Sequence, residues 1–379
     1  MKIKTAAVIL CAFATAALIA GAARVAGGAA RELPKGILVH SERGIIPFRD
    51  YALKADKATD MTAFSVSKAY LSANGVTVRV NRVVTDKNHA EVMGKELLSG
   101  TWFGISELAR ENNYAVIGSD LATELFFSAD AAGREIAVDG RTYRISGVCR
   151  SGGGFIHDIS QDGDPDVYLP YTAAGGGAAE YLFLGGEQGK NLHPGDVRYK
   201  VNLALGVDAA GVRISDVGDK ANLLKTYPFV FLRLLLAAGL LAVALPAANL
   251  TARLVFESET RRIKTYFGLA AALLAFAALL YVLCSLPGVP ESFLPDESIF
   301  DISHYAARFI SEMQATNGGA GSYLDRYALS AFSALSALFS LALTTFALTV
   351  VLAFKRFREP RGTEAAKTPD AIEHEGATA

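Results

Sequence analysis

The stretch Tyr114–Val148, YAVIGSDLATELFFSADAAGREIAVDGRTYRISGV, decides how the chain is read. YAVIG is a short apolar strand, and Ser119 or Asp120 can cap the helix DLATELFF, whose Leu121 and Leu125 fall on one face. Gly133 stops that excursion. REIAV and RTYRISGV are then two strands joined by Asp139-Gly140, the favoured two-residue hairpin signal because both turn positions tolerate positive φ. The unit contains no histidine, no cysteine and no metal-ligand spacing, so it identifies architecture and no chemistry.

Outward from this unit, Arg24 to Tyr227 is built of short segments bounded by glycine. TDMTAFSVSKAYLSANG (Thr59–Gly75) predicts a helix closed by Asn74-Gly75, and VTVRVNRVV after it alternates with the two-residue period of a half-buried strand. DKNHAEVMGKELLSGTWF predicts a helix ending near Gly100, with that glycine in the left-handed cap position. Ser151–Asp166 reads as a loop, DVYLPY as a strand, AAGGGAAE as a flexible link and VRYKVNLALGV as another strand. Helices alternate with strands drawn from distant parts of the chain, which indicates α+β.

The flanks are of another kind. The chain is 51% hydrophobic with a formal net charge of -1, and its apolar excess lies in four blocks. Thr5–Ala23 has no charged residue and follows Lys2 and Lys4; it reads as a retained span or, because small residues follow it, as a cleaved secretory signal. Phe229–Leu250, Thr265–Leu286 and Leu329–Phe354 each approach or exceed the roughly 20 residues that cross a bilayer core. Lys2 and Lys4, then Arg253, Arg261, Arg262 and Lys264, then Lys355, Arg356, Arg358 and Arg361 flank the spans on what a four-span chain makes a single side. Basic flanks stay cytoplasmic, so both termini and the short middle loop are expected there, with Arg24–Tyr227 and Pro287–Tyr327 outside. Cys11 and Cys284 lie inside spans, which leaves Cys149 without a disulfide partner in the outer segment; all three read as packing residues.

With these residues in view, Val76–Tyr171 resembles the periplasmic core domain of MacB-like and FtsX-like ABC transporter permeases: strand, helix ending in leucine and phenylalanine, glycine, apolar strand, glycine turn, and strand ending in Gly-Val. VTVRVNRVVTDKNHAEVMGKELLSGTWF is similar to the segment before it in that family, and DVYLPY to a later strand. The resemblance implies an α+β extracytoplasmic domain inserted between the first and second of four transmembrane helices. The expected division is a cytoplasmic terminus (1–4), first span (5–27), outer core domain (28–227), second span (228–250), coupling loop (251–264), third span (265–286), outer loop with an amphipathic helix (287–328), fourth span (329–354) and cytoplasmic tail (355–379).

It further implies a permease subunit in the cell inner membrane, multi-pass, that relays the motion of a separate cytoplasmic ABC ATPase to an outer domain. Such a subunit works as a homodimer or beside a paralogous permease and meets an extracytoplasmic client; neither a nucleic-acid partner nor a cofactor is expected. No Gly-x-x-x-x-Gly-Lys-Ser/Thr phosphate loop occurs in these 379 residues, so ATP hydrolysis would be a partner's. In the family the loop between the second and third spans docks on the ATPase, which makes Glu257, Glu259, Arg261, Arg262 and Lys264 the candidate coupling residues. Thr260, Arg261 and Ile263 match the family's run, whereas Arg262 stands where an acidic residue is usual and Gly268 comes about two residues early, on another helical face. The alternative is a membrane-anchored binding or scaffold protein with the same outer domain and no ATPase.

Pro246 and Asn249, near the inner end of the second span, are candidate hinge residues, since proline frees backbone groups and asparagine can bond a neighbouring helix. Ser333, Ser336 and Ser340 give the fourth span a smooth face for close packing. His157, Asp158, Asp162, Asp164 and Asp166 lie together but lack the spacing of a calcium loop, so they read as a solvated turn and no metal is expected. His40, His89, His193 and His304 are scattered, and no serine sits in a Gly-x-Ser-x-Gly elbow, so nothing assembles a nucleophile with its base. In the outer loop, Phe300, Tyr305, Phe309 and Met313 share a helical face that would lie on the outer leaflet or cap the outer domain.

Overall fold

The computed structural model describes residues 2–41, 43–54, 60–104, 113–152, 164–173, 177–185, 194–206, 212–257 and 323–358, with single positions between 277 and 310. In chain order these form α1 (Lys2–Glu32), β1 (Ile37–His40), β2 (Ile46–Pro47), α2 (Phe48–Lys54), β3 (Met61–Ala73), β4 (Val76–Thr85), α3 (His89–Val92), β5 (Leu97–Gly100), β6 (Tyr114–Gly118), α4 (Ser119–Phe126), β7 (Glu135–Val138) and β8 (Arg141–Cys149). There follow β9 (Asp166–Pro170), β10 (Ala178–Ala179), β11 (Tyr181–Leu184), α5 (Pro194–Leu205), β12 (Arg213–Asp216), α6 (Val217–Glu257) and α7 (Tyr323–Arg358). The chain divides into two compact units: Met1–Gly21, Leu232–Ser285 and Leu338–Ala379 in one, Ala22–Phe231 and Leu286–Ala337 in the other.

The second unit holds a mixed sheet ordered β12-β1-β11-β3-β4-β9-β6-β8-β5. β7 pairs with both β3 and β8, so β3, β4, β9, β6, β8 and β7 close a ring of pairings. Leu71, Val80, Ile117, Ile136, Ile145 and Val167 belong to the core of that ring, together with Leu121 and Leu125 from α4. A second core lies against the open half of the sheet, where Ile37, Val39 and Leu182 meet Phe48 and Tyr51 of α2 and Val197, Val201 and Leu205 of α5.

The opening unit folds as read: strand β6, helix α4 with Leu121 and Leu125 buried, and hairpin β7–β8 with Asp139 and Gly140 at φ 48° and 81°. Neither Ser119 nor Asp120 is the helix cap, however. Gly118 holds that place in extended conformation, and the Asp120 carboxylate accepts from Leu121 N at 2.8 Å.

Three other expectations are corrected. Thr59–Gly75 is not a helix: Met61–Ala73 is strand β3, paired with β4 through ten residues, and Asn74-Gly75 at φ 51° and 78° is the hairpin turn between them. Met61 to Phe64 are buried on both faces, which erases the alternation that would have announced a strand. The helix expected before Gly100 is a single turn, His89–Val92, followed by Gly94 at φ 66° and by strand β5. Of VRYKVNLALGV, Val197–Leu205 lies in helix α5 rather than a strand, with Val197, Val201 and Leu205 buried at intervals of four. The expected flexible link also contributes β10, which pairs with β2.

A buried polar node sits at the start of β3. The Asp86 carboxylate accepts from Thr62 Oγ1 at 2.9 Å, Ala63 N at 3.2 Å and Asn88 N at 2.9 Å. His89 is enclosed by the rings of Phe64, Trp102 and Tyr168, with its Nδ1 3.4 Å from Thr62 Oγ1. Burial pushes the Asp86 carboxyl up from its ordinary pKa, against the pull of its donors, whereas burial and then the Lys95 charge drive His89 down to about 3.

Within the other unit, the Thr15 and Thr345 hydroxyls of α1 and α7 are 2.9 Å apart, a polar contact between helices of the kind apolar surroundings favour. Among the described residues three helices are long and apolar enough to cross a membrane: Ala6–Glu32, Val217–Leu240 and Leu324–Lys355. The expected third span falls outside the described residues except for Ala277, Tyr281 and Ser285, which are helical.

Two predictions follow from the core. A Cβ on Gly100, at φ 70°, would meet Ser146 O at 2.2 Å and Gly147 Cα at 2.7 Å, whereas Gly75, at φ 78°, faces open space. Gly75→Ala should therefore lose only the ~1–2 kcal/mol of a left-handed non-glycine residue, and Gly100→Ala clearly more, as read by urea unfolding followed through Trp102, the chain's single tryptophan. His89 stays neutral in the fold, but its ordinary pKa is about 6.5. The unfolded chain then takes up a proton below that pH which the folded chain refuses, so stability falls on acidification by up to about 1.4 kcal/mol per pH unit. The raised Asp86 carboxyl acts in the opposite sense, being stabilising at low pH and losing that effect as pH rises. Comparing the full chain with His89→Leu between pH 7.5 and 5 isolates the histidine: relative to the variant, the parent chain should lose stability as pH falls.

Candidate functional site

The outer domain of a membrane protein can respond to its spans only where the chain passes between them, and in the second unit that passage is narrow. α1 ends at Glu32, and Leu33–Gly36 lead directly into β1. Gly36 O accepts from Val217 N at 3.0 Å and Gly218 N at 3.2 Å, which bonds the exit from α1 to the entry into α6. Only glycine fits there, because a Cβ would meet Leu184 O at 2.1 Å. β12 pairs with β1, Ile37 opposite Asp216, and α6 begins at the next residue with no linker.

Asp216 makes that abrupt start possible. Its carboxylate accepts from Asp219 N at 2.8 Å, satisfying a first-turn donor that an uncapped helix would leave open. Burial pushes its pKa up, and the Asp219 N–H pulls against that shift. The spacing Asp216-Val-Gly-Asp219 is a capping signal present in the sequence that marks this entry.

α7 joins the same place through one carboxylate. Asp325 Oδ1 accepts from Lys220 Nζ at 2.8 Å and from Ser215 Oγ at 2.7 Å, and the side chains of Lys220 and Asp325 are only 13% and 15% exposed. Farther along, the rings of Tyr227 and Phe332 meet edge to face with centroids 5.8 Å apart, and Tyr227 Oη lies 3.5 Å from Ser336 Oγ. The buried faces repeat every three or four residues: Ala22, Ala26 and Ala29 on α1, continued by Leu33 just after it, Val217, Ala221 and Leu224 on α6, Leu324, Ala328, Ala331 and Leu335 on α7. Ser215 and Lys220 are more than a hundred residues from Asp325, and no local motif could have joined them.

The residues singled out from sequence fall partly outside the described residues. Glu257 is the last residue of α6, and Glu259, Arg261, Arg262 and Lys264 lie outside the described residues. Pro246 and Asn249 lie within α6, which runs on through both. Ser333 and Ser336 are exposed, and their hydroxyls donate back to Ser330 O and Phe332 O of their own helix. Of the acidic cluster, His157, Asp158 and Asp162 lie outside the described residues. Asp164 pairs with Lys68 at 2.7 Å and Arg79 at 2.8 Å, which hold its carboxyl low although burial would raise it. Asp166 accepts from Asn81 Nδ2 and Tyr168 Oη. Among the described residues no three His, Cys, Asp or Glu side chains stand close enough to hold a metal ion.

One open cleft of about 560 Å³ lies beside the end of α1, lined by Arg31, Glu32, Lys35, Lys95, Glu96 and Arg150 among others. Arg150 donates twice to Glu96, at 2.7 and 3.1 Å, and these contacts hold the Glu96 carboxyl below its usual range. Both side chains are 61% exposed, so the pair contributes little to stability.

Comparison with known proteins finds similar solved structures and a matching family model. Among solved structures the chain is similar to the periplasmic region of MacB from Actinobacillus actinomycetemcomitans, at 12% identity and a TM-score of 0.39, covering 49% of this chain and 91% of that one. It is also similar to the extracellular domain of the noncanonic ABC-type transporter YknZ from Gram-positive bacteria, at 12% identity and a TM-score of 0.36, covering 48% of this chain and 98% of that one. None of the curated proteins matches. Residues 9–213 match the model of the MacB-like periplasmic core domain, which is more than half of the chain, and they span α1 and the sheet from β1 to the start of β12. The chain is thus a membrane protein with an extracytoplasmic domain, and it belongs to the MacB-like periplasmic core domain family.

Proposed function

We propose that the chain is the permease subunit of an ABC transporter and relays the motion of a separate cytoplasmic ATPase to its outer domain. In this reading four spans (5–27, 228–250, 265–286 and 329–354) cross the inner membrane with both termini and the loop 251–264 in the cytoplasm. Two copies, or one copy and a paralogous permease, sit side by side, and the outer domains act on a client or an envelope partner. The observation that carries this reading is the junction: β12 passes into α6 with no intervening residue, and α6 continues as one 41-residue helix. A helix rises about 1.5 Å per residue, so α6 is about 60 Å long, twice a bilayer core. A displacement of α6 on the outer side of Pro246 therefore reaches the sheet without a flexible link to absorb it.

The outer domain acts in this picture as a rigid body: the opening stretch offers packing and turn residues and no reactive side chain. Glu257, Glu259, Arg261, Arg262 and Lys264 form the docking surface for the ATPase, and Pro246 and Asn249 allow the second span to bend. A second reading, an anchored binding or scaffold protein, is favoured by one feature, Arg262 in place of the acidic residue usual in the coupling loop.

Purification of the full chain in mild detergent together with candidate ABC ATPases separates the two readings. The permease reading expects a nucleotide-dependent complex whose affinity drops about tenfold or more in Arg261→Glu/Arg262→Glu, since reversing charges at an interface costs a few kcal/mol, with insertion topology unchanged by a reporter assay. An isolated chain that captures no ATPase in any nucleotide state would leave the scaffold reading standing.

A further inference from the structure

α6 and α7 pack as a parallel pair with a fixed offset. Lys220 meets Asp325 and, seven residues on, Tyr227 meets Phe332; both pairs are separated by 105 positions. Two contacts seven residues apart on each helix stand two helical turns apart, the spacing at which parallel helices meet again on the same faces. Apolar seams of this type specify register weakly, because alanine and leucine fit nearly as well one turn along. The buried apolar residues nearest these contacts in sequence are Ala221 and Leu224 on α6 and Leu324, Ala328, Ala331 and Leu335 on α7. A polar pair that has one partner only in one register removes the ambiguity.

The charged pair stands where it can do this. Lys220 lies nine residues before Phe229, where the apolar run begins, which places it about 13 Å along the helix from that point. At 13% and 15% exposure the two side chains are largely out of water, so leaving either unpaired is unfavourable. Asp325 has a further donor on a different element: Ser215 belongs to β12, the edge strand bonded to β1. One carboxylate thus touches α6, α7 and the sheet.

We propose that Asp325 is a register lock: by accepting from Lys220 and Ser215 together, it fixes α7 against α6 and against the edge strand, so that the two helices move as one lever on the sheet. This rests on the relay reading given above and names the contact that makes the lever rigid. A slip of α7 by one turn would move Asp325 about 5.4 Å away from both donors. The lock therefore opposes sliding and twisting of the pair while leaving a joint tilt free.

The test is a cross-link in the full chain with Cys11, Cys149 and Cys284 replaced by alanine. Tyr227→Cys and Phe332→Cys report the register through a short bifunctional thiol reagent, in membranes and without partner or nucleotide. The pair should cross-link readily in the parent background, several-fold less in Asp325→Asn or Lys220→Gln, and again readily in the exchanged pair Lys220→Asp/Asp325→Lys, whose recovery shows that the variants fold. Unchanged yield in the two neutral variants would overturn the lock. So would a loss that the exchanged pair does not restore, or a parent chain that never cross-links. ATPase coupling plays no part in this measurement, so its failure and the failure of the lock give separate signals.

Discussion

The domain depends on how strand β3 uses its edges. Along one edge its first residues pair with β11 and its last with β7, while the other edge pairs with β4 for ten residues. A single strand therefore belongs to the open half of the sheet and to the closed ring. Its early side chains contribute to the core against α2 and α5, and Ala69 and Leu71 contribute to the core around α4. Were β3 a helix, both cores would lose their common member and β7 would have no strand to close upon.

The buried polar node lies at the changeover between those cores. Asp86 ends the β4 pairing and ties the start of β3 through Thr62 and Ala63, while His89 fills an aromatic enclosure drawn from β3, β9 and the segment after β5. Buried polar groups without partners are costly, so the network is satisfied only when these strands hold one arrangement. That is a reason for the ring and the open sheet to behave as a single rigid piece.

The long helices join that piece at its other margin. β1 and β12 are the strands attached to α1 and α6, they pair with each other, and the Gly36 carbonyl binds the first two amides of α6. α7 arrives from a distant part of the chain and is held there by a carboxylate. Two helices are thus joined to the sheet through the backbone and the third through side chains, and side-chain attachment is the kind that charge substitution can loosen.

Much of this was legible in the residues alone. The strand-helix-hairpin unit of Tyr114–Val148, the half-buried alternation of β4 and the apolar blocks of α1, α6 and α7 follow from local patterns, because hydrophobic period and turn chemistry act over a few residues. β3 does not show as a strand in the sequence because its first residues are buried on both faces, so no alternation appears, and because Asn-Gly serves a helix end and a hairpin equally well. α5 reads as a strand because VRYKVNL alternates, although Val197, Val201 and Leu205 carry the helical interval. The ring closure through β7, the polar node at Asp86 and the meeting of Ser215, Lys220 and Asp325 were decided by tertiary structure alone. Each joins groups separated by tens to more than a hundred residues, and which of many polar side chains meet at such a distance is settled only once strands and helices have packed.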